Sequence, residues 1–333
     1  MKCLITGGAG FIGSNLAAYL VAKNWQVRVL DNLSTGKQEN LDPVAGRADF
    51  IEGDIRDAGL LDKVLKGCAV VFHQAALPSV PRSIAEPELS HDVNVNGTLN
   101  LLLAARRSGV GRVILASSSS VYGDSEVFPR IEDQIPMPLS PYAVAKLAGE
   151  NYARVFATVY GMETVCLRYF NIFGPRQDPD SAYSAVIPRF IKALSNGEAP
   201  VIYGDGLQSR DFTYVDHVSE VNYLAATAPG PWRGEILNVG CGRNITLLEV
   251  LETLKRIKKC KTVKPRFEPP RTGDVRNSLA SIDKAHKLLN FKPESDFTTE
   301  LARTLSWFEL NSERIPRGLP RGKRANIKKS EIL

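Results

Sequence analysis

The stretch that most constrains this chain is Thr6-Gly7-Gly8-Ala9-Gly10-Phe11-Ile12-Gly13-Ser14. A short apolar run, Lys2–Thr6, precedes it. An amphipathic run from Gly10 to Lys23 follows, with Phe11, Ile12, Leu16, Leu20 and Val21 on one stripe. The glycines therefore sit at the joint between a buried strand and a helix, the context that gives such a motif its meaning. They read as G-x-G-x-x-G through Gly8, Gly10 and Gly13, or as G-x-x-G-x-x-G through Gly7, Gly10 and Gly13. Glycine permits a tight turn and close backbone approach to a diphosphate. The helix start adds free N–H groups and the positive end of its dipole. Gly7, Gly10, Phe11, Ile12 and Gly13 are the expected phosphate-side residues.

Asp31 ends the next strand, Gln26–Asp31, 18 residues beyond Gly13, with Asn32 beside it. A carboxylate there accepts both hydroxyls of an adenosine ribose and repels a 2′-phosphate, which favours NAD over NADP. Asp54, with Ile55, follows a third strand at Asp49–Gly53 and is placed to accept from the adenine amino group. Further strands are expected at Ala69–His73, Arg112–Ala116 and Glu163–Arg168, with helices at 92–108 and 141–160. Near-continuous apolar strands alternating with helices imply an α/β fold, a parallel sheet covered on both faces. After Asn171 the texture changes to loop-rich sequence. A helix is expected near Ile187–Asn196. Thr246 to Glu249 is a capping-box pattern, and Ile282–Leu289 reads as a short helix. This gives a nucleotide-binding domain over 1–172, which 213–242 rejoins through a strand at Glu235–Val239. A smaller C-terminal α/β substrate domain covers 173–310, and a basic, mobile tail 311–333.

The net charge of +6 is mostly that tail, which carries +5. The body is close to neutral, so no nucleic-acid partner is expected. Five scattered cysteines with no C-x-x-C pair, and four scattered histidines, support neither a disulfide framework nor a metal site. A reducing cytoplasm is the expected compartment. Glycines interrupt the N-terminal segment before an apolar signal core could form, and no apolar run is long enough for an integral membrane segment.

Tyr142 and Lys146 fall at i and i+4 on one helix face. A nearby ammonium lowers a phenol's pKa and makes it a usable base. Ala116-Ser117-Ser118-Ser119-Ser120-Val121-Tyr122-Gly123 follows a buried strand, where parallel sheets bind ligands. With these motifs the chain resembles an extended member of the short-chain dehydrogenase/reductase superfamily, over most of residues 1–300. That resemblance implies a Rossmann-type, doubly wound sheet. It places the catalytic serine on Ser118, the acid/base role on Tyr142 and the supporting role on Lys146. Asn94 matches an asparagine near the active site, and Gln74, Ala75 and Ala76 a segment along the cofactor.

The family's sugar-nucleotide dehydratases carry Asp-Glu after the catalytic threonine, and its decarboxylases carry Glu at the second position. Ser119 and Ser120 stand there, which disfavours both reactions. The segments around Asn171 and Arg210 resemble those of nucleotide-sugar 4-epimerases. The resemblance puts Asn171, Arg210 and Arg271 at the substrate diphosphate, where a guanidinium fork suits phosphate oxygens. Ser278 aligns with the position that carries a bulky tyrosine in members restricted to non-acetylated hexoses. Serine leaves room beside C2 for an N-acetyl group. Ser79 and Arg82 belong to a segment similar to the N-acetylhexosamine subgroup, with Pro78 in place of its glycine. Together with Ser118, Ser119 and Tyr142 they complete the expected substrate contacts. The implied reaction is epimerisation at C4 of a UDP-sugar, UDP-N-acetylglucosamine/UDP-N-acetylgalactosamine first and UDP-glucose/UDP-galactose as the alternative. A uronic acid met by Arg82 or Arg176, and a non-catalytic NAD-binding sensor, stay open. Pairing of family members through two helices implies a homodimer.

Overall fold

The computed structural model describes residues 1–179, 185–260, 262–270, 276–294 and 296–312. The chain opens with β1 (Lys2–Thr6), α1 (Phe11–Ala22), β2 (Gln26–Asp31), β3 (Ala48–Glu52), α2 (Ala58–Val64) and β4 (Val70–His73). Two short helices, α3 (Val80–Ala85) and α4 (Pro87–His91), lead through a π-helical turn, Asp92–Asn96, into α5 (Gly97–Arg107). Then come β5 (Arg112–Ser118), α6 (Pro141–Tyr160), β6 (Glu163–Tyr169) and β7 (Ile172–Phe173). The rest comprises α7 (Val186–Ser195), β8 (Val201–Tyr203), β9 (Ser209–Arg210), β10 (Thr213–Tyr214), α8 (Val215–Thr227), β11 (Arg233–Val239), β12 (Ile245–Thr246), α9 (Leu247–Lys258), β13 (Arg266–Glu268), β14 (Asn277–Ser278), α10 (Asp283–Leu289) and α11 (Phe297–Ser312).

Seven parallel strands form the central sheet in the order β11-β6-β5-β4-β1-β2-β3. The chain order reverses beside β1, so the crevice at the carboxyl ends of β1 and β4 is where such a sheet takes a ligand. One face packs Leu16, Leu20, Val218 and Val221 of α1 and α8 on Val29, Phe72 and Leu237. The other packs Leu61, Leu101, Leu102 and Phe156 of α2, α5 and α6 on Leu4, Val71 and Val113. Strands buried on both faces explain the unbroken apolar runs in the sequence.

A third core lies beyond the sheet. Phe173, Phe190, Ile191, Phe212, Val250, Leu254, Leu301 and Leu305 build it from α7, α9, α11 and short strands. Thr246 and Glu249 cap α9 reciprocally, the arrangement their spacing predicts, at ~1 kcal/mol. The expected helix at 92–108 is not uniform, because a π turn at Asp92–Asn96 precedes α5. An extra residue in that turn lets Asn94 face inward, where it bonds the Leu77 backbone. The helix α11 has no counterpart in the sequence reading. Its stripe Phe297, Leu301, Leu305, Phe308 closes the third core, and its end takes in Asn311 and Ser312. The expected mobile tail otherwise lies outside the described residues.

Candidate functional site

The glycine turn is packed backbone against backbone. Gly7 has φ +69°, and a Cβ there would stand 2.6 Å from the Ala75 nitrogen and Cα. A Cβ on Gly13 would stand 2.2 Å from the Gly7 carbonyl oxygen. The Asp31 carboxylate braces this turn, accepting from Ala9 N–H (2.9 Å) and Leu33 N–H (2.8 Å). Burial pushes the Asp31 carboxyl above its ordinary pKa, against the pull of those N–H groups. Asn32 donates to Asp54 (2.8 Å), and Arg56 bridges Asp54 and Asp92. The hydrogen bonds from Arg56 hold Asp54 down at about 2, so it is a permanent acceptor at neutral pH. Ile55 is buried under this corner. A backbone cradle that no side chain could enter, with acidic groups beyond it, fits the diphosphate and adenosine of a dinucleotide.

A buried wire crosses the floor of the crevice. Thr98 donates to the Asn94 carbonyl (2.7 Å), so its hydroxyl accepts from His73 Nε2 (2.9 Å). His73 Nδ1 then accepts from the Thr6 hydroxyl (2.7 Å), which in turn accepts from Ala75 N–H (3.3 Å). Burial pulls His73 down to about 3, so it stays neutral. Gln74 is held by Tyr169 and Asn222 (3.2 Å each). Gln74, Ala75 and Ala76 therefore line the crevice on a rigid base, but Asn94 acts from behind it, binding the Leu77 N–H (2.7 Å) and carbonyl (3.1 Å).

Ser118, Tyr142 and Lys146 come together at the end of β5. The Ser118 hydroxyl lies near enough to the Tyr142 hydroxyl to lower its pKa and accepts from Ser120 N–H (3.1 Å). Lys146 Nζ lies 5.7 Å from the Tyr142 ring centre and donates to the Ala116 carbonyl (2.8 Å). The expected acidification of Tyr142 by Lys146 is not what this geometry does. Burial pushes Tyr142 up to about 12, opposed only by the Ser118 bond. Burial likewise brings Lys146 down to about 8. The ammonium spends its short hydrogen bond on a carbonyl rather than on the phenol.

A cleft of about 220 Å³ opens beside the third core, walled by β7, α7, β8 and β9. Asn171 and Arg210 line it with Phe173, Tyr203, Gln208 and Phe212. Asn171 Nδ2 donates to the Asp211 carbonyl (3.3 Å) and reaches the Ser278 hydroxyl at 3.5 Å. Ser278 pairs with Arg210 across β14 and β9. Asp211 pins this corner by accepting from Cys241 (2.8 Å), Gly242 (3.0 Å) and Ala280 (3.1 Å) N–H groups. Arg271 lies outside the described residues. Arg82 turns to Glu86 (3.4 Å), and Ser79 caps α3 by accepting from Arg82 N–H (3.2 Å). A single helical turn gives those side chains local partners, so neither is shown facing the cleft. Arg176 is half-buried near Asp216 and has one guanidinium nitrogen, Nη1, without a hydrogen-bond partner.

A family model described as "NAD dependent epimerase/dehydratase family" matches residues 3–240. The chain belongs to this family. It is accordingly an enzyme with NAD as its cofactor. A UDP-glucose 4-epimerase of Mycolicibacterium smegmatis is 36% identical over 317 residues, covering 94% of this chain and 100% of the relative. A solved UDP-N-acetylglucosamine 4-epimerase of Methanobrevibacter ruminantium, in complex with UDP-N-acetylmuramic acid, is 41% identical with TM-score 0.89, covering 93% of this chain and 98% of that one. A UDP-glucose 4-epimerase of Thermus thermophilus in complex with NAD is 36% identical with TM-score 0.83, covering 93% and 99%.

Several residues of this family member escaped the sequence reading. Gln208 and Phe212 flank Arg210 closely enough to have been taken with it. The buried ion pair of Glu150 with Arg168 joins the α6 face to β6. Its signal was Glu150, one turn beyond Lys146 and so on the same face. The Thr6–His73–Thr98 wire had no sequence signal, because its members are distant in the chain. No helix among the described residues is long and apolar enough to cross a membrane.

Proposed function

We propose that this enzyme interconverts UDP-N-acetylglucosamine and UDP-N-acetylgalactosamine. The chain is a nucleotide-sugar 4-epimerase, and the sugar is the finer reading. The observation that carries it is Ser278, a small side chain on β14, next to Arg210 and 3.5 Å from Asn171. A serine there leaves space beside C2 for an acetamido group. UDP-glucose/UDP-galactose is the second reading, favoured by the likeness to UDP-glucose 4-epimerases.

In this reading the first lobe holds the dinucleotide through Gly7, Gly10, Phe11, Ile12, Gly13, Asp31 and Asp54. The second holds the nucleotide sugar through Asn171 and Arg210, with Arg271 as a further diphosphate contact. Bound NAD would supply reversible hydride acceptance at C4 of the sugar. Tyr142 takes the proton of the sugar 4-hydroxyl and later gives it back. Ser118 hydrogen-bonds the reacting oxygen and keeps Tyr142 aimed at it. Lys146 supplies positive charge beneath the phenol and orients the ribose. With its pKa raised to about 12 Tyr142 is a phenol at neutral pH, so it takes the sugar proton only as the phenolate, the form that nearby positive charge favours. The diphosphate anchors hold while the 4-keto sugar turns over, and orientation supplies much of the rate. Ser119 and Ser120 offer no acid/base pair for eliminating water.

A homodimer is part of this proposal. α6 leaves Val144, Val155, Val159 and Tyr160 exposed on the surface, on a helix whose other face carries Tyr142 and Lys146. Five free thiols suit a reducing cytoplasm.

Proton NMR of the purified chain with UDP-N-acetylglucosamine and no added cofactor tests the reading. Formation of UDP-N-acetylgalactosamine to a fixed ratio is expected. No conversion, with NAD bound and UDP-glucose epimerised, moves the assignment to the second reading. Ser278→Tyr should block the acetylated pair first; equal loss of both pairs removes the size argument.

A further inference from the structure

Tyr142, Lys146 and Glu150 stand one turn apart on α6, and Ala116, Ser117 and Ser118 end β5. Each of the three strand residues takes one of the three helix residues. The Ser118 hydroxyl neighbours that of Tyr142, and the Ala116 carbonyl accepts from Lys146 (2.8 Å). Ser117 donates to Glu150 Oε1 (2.5 Å). Only the third contact has no part in the chemistry described above.

Glu150 and Arg168 are 2% and 1% exposed. Arg168 grips both carboxylate oxygens, Nε to Oε1 at 2.8 Å and Nη2 to Oε2 at 2.7 Å. Its guanidinium lies 4.6 Å from the Tyr122 ring centre, and Tyr122 donates to Asn238 (2.7 Å). The carboxylate is thus fixed from β5 and β6 at once. A buried ion pair contributes little net stability over apolar packing of the same volume, so stability alone is a poor account of it. Its placement directly after Lys146 is the better one.

We propose that Glu150 is a positioning residue for the epimerisation: clamped by Ser117 and Arg168, it fixes the register of α6 on β5 and so aligns Tyr142 and Lys146 with Ser118 and the Ala116 carbonyl. The inference rests on the reading of Ser118, Tyr142 and Lys146 as the reacting group. Lys146 is faced by Tyr142 and Glu150 from its own helix, Cys166 from β6, His73 from β4 and the Ala116 carbonyl from β5. Among these Glu150 is the one carboxylate, with Arg168 as its counter-ion. Loss of that charge therefore moves Lys146 toward losing its proton earlier.

Three variants test this with the NAD-loaded chain. Ser117→Ala removes one hydroxyl and should fold. It is expected to lower kcat about tenfold with KM within about twofold, a loss confined to the transition state. Bound NAD and UDP affinity should not change. Ser117→Thr keeps the hydroxyl and should recover most of kcat. Glu150→Gln should cost about a hundredfold in kcat and shift the alkaline limb of the kcat profile to lower pH. Amide exchange over residues 142–150, read without substrate, should quicken in Ser117→Ala and Glu150→Gln. A Ser117→Ala enzyme with wild-type kcat and unchanged exchange overturns the proposal. So does a lower melting temperature with unchanged kcat per folded enzyme. A wild-type chain that converts neither UDP-sugar pair overturns the epimerase reading instead, and the exchange data then decide the positioning role alone.

Discussion

The floor formed by β5 and α6 and the cleft beside β9 are built on opposite plans. The floor joins a seven-residue strand to a 20-residue helix, and its buried polar groups have partners except the Ser120 hydroxyl just past the strand end. Lys146, Ser117, Glu150 and Arg168 each have a partner within 2.8 Å. The cleft side rests on strands of two or three residues. Around it Gln177 Oε1, Gln208 Oε1, Thr213 Oγ1 and Arg176 Nη1 are buried without hydrogen-bond partners. Each such atom costs ~1–3 kcal/mol in a dry interior, and a polar ligand offsets that cost. The difference teaches where precision and adaptability are placed. The floor is held by the protein itself, whereas the cleft side, which the proposed reading gives to the nucleotide sugar, keeps hydrogen-bonding capacity.

The comparison breaks most visibly at Tyr142. Tyr142→Phe should lower kcat by about a thousandfold or more, in the upper range for a lost general acid/base, with NAD still bound. Retention of more than a tenth of wild-type turnover would take the reaction away from this floor. Next in size is the ion pair beneath it. Arg168→Met strands the Glu150 charge and should cost ~3–5 kcal/mol in urea unfolding, and a loss below ~1 kcal/mol would mean the floor is looser than its distances imply. Arg210→Ala probes the other side. KM for the UDP-sugar should rise about 10- to 100-fold with kcat changed far less, the pattern of lost uniform binding. A kcat effect as large as the KM effect would make the cleft part of the chemistry. The smallest effect is in pH. Lys146 loses its positive charge as pH rises through about 8, so kcat/KM should fall above that point by about tenfold per pH unit. Lys146→Arg, which keeps its charge, should flatten that limb.

How legible each part was in the sequence follows the same division. β1, β2 and α6 lie where residue pattern alone put them, because each is long, periodic and punctuated by Gly, Pro or Asp. Tyr142 and Lys146 were legible as a pair on one helix face, and Ser118, among four consecutive serines at a strand end, only through resemblance. The cleft was legible only through resemblance, since two-residue strands such as β9 and β14 have no periodicity to read. The sequence does not show the burial of that pair: desolvation raises the phenol and lowers the ammonium, and Lys146 donates to the Ala116 carbonyl. The helix α11 was missed because its partners in the third core come from α7, α9 and β10, and its stripe has meaning only against them.

β14 is joined to β9 through its backbone, while the Ser278 side chain has only a long contact with Asn171. A position held by its main chain can exchange one side-chain volume for another without unsettling any core. If Ser278 borders the sugar as proposed, substrate preference can drift in evolution by single substitutions there, along a nearly level stability landscape. The floor, by contrast, is interlocked through side chains, Ser117 to Glu150 and Glu150 to Arg168.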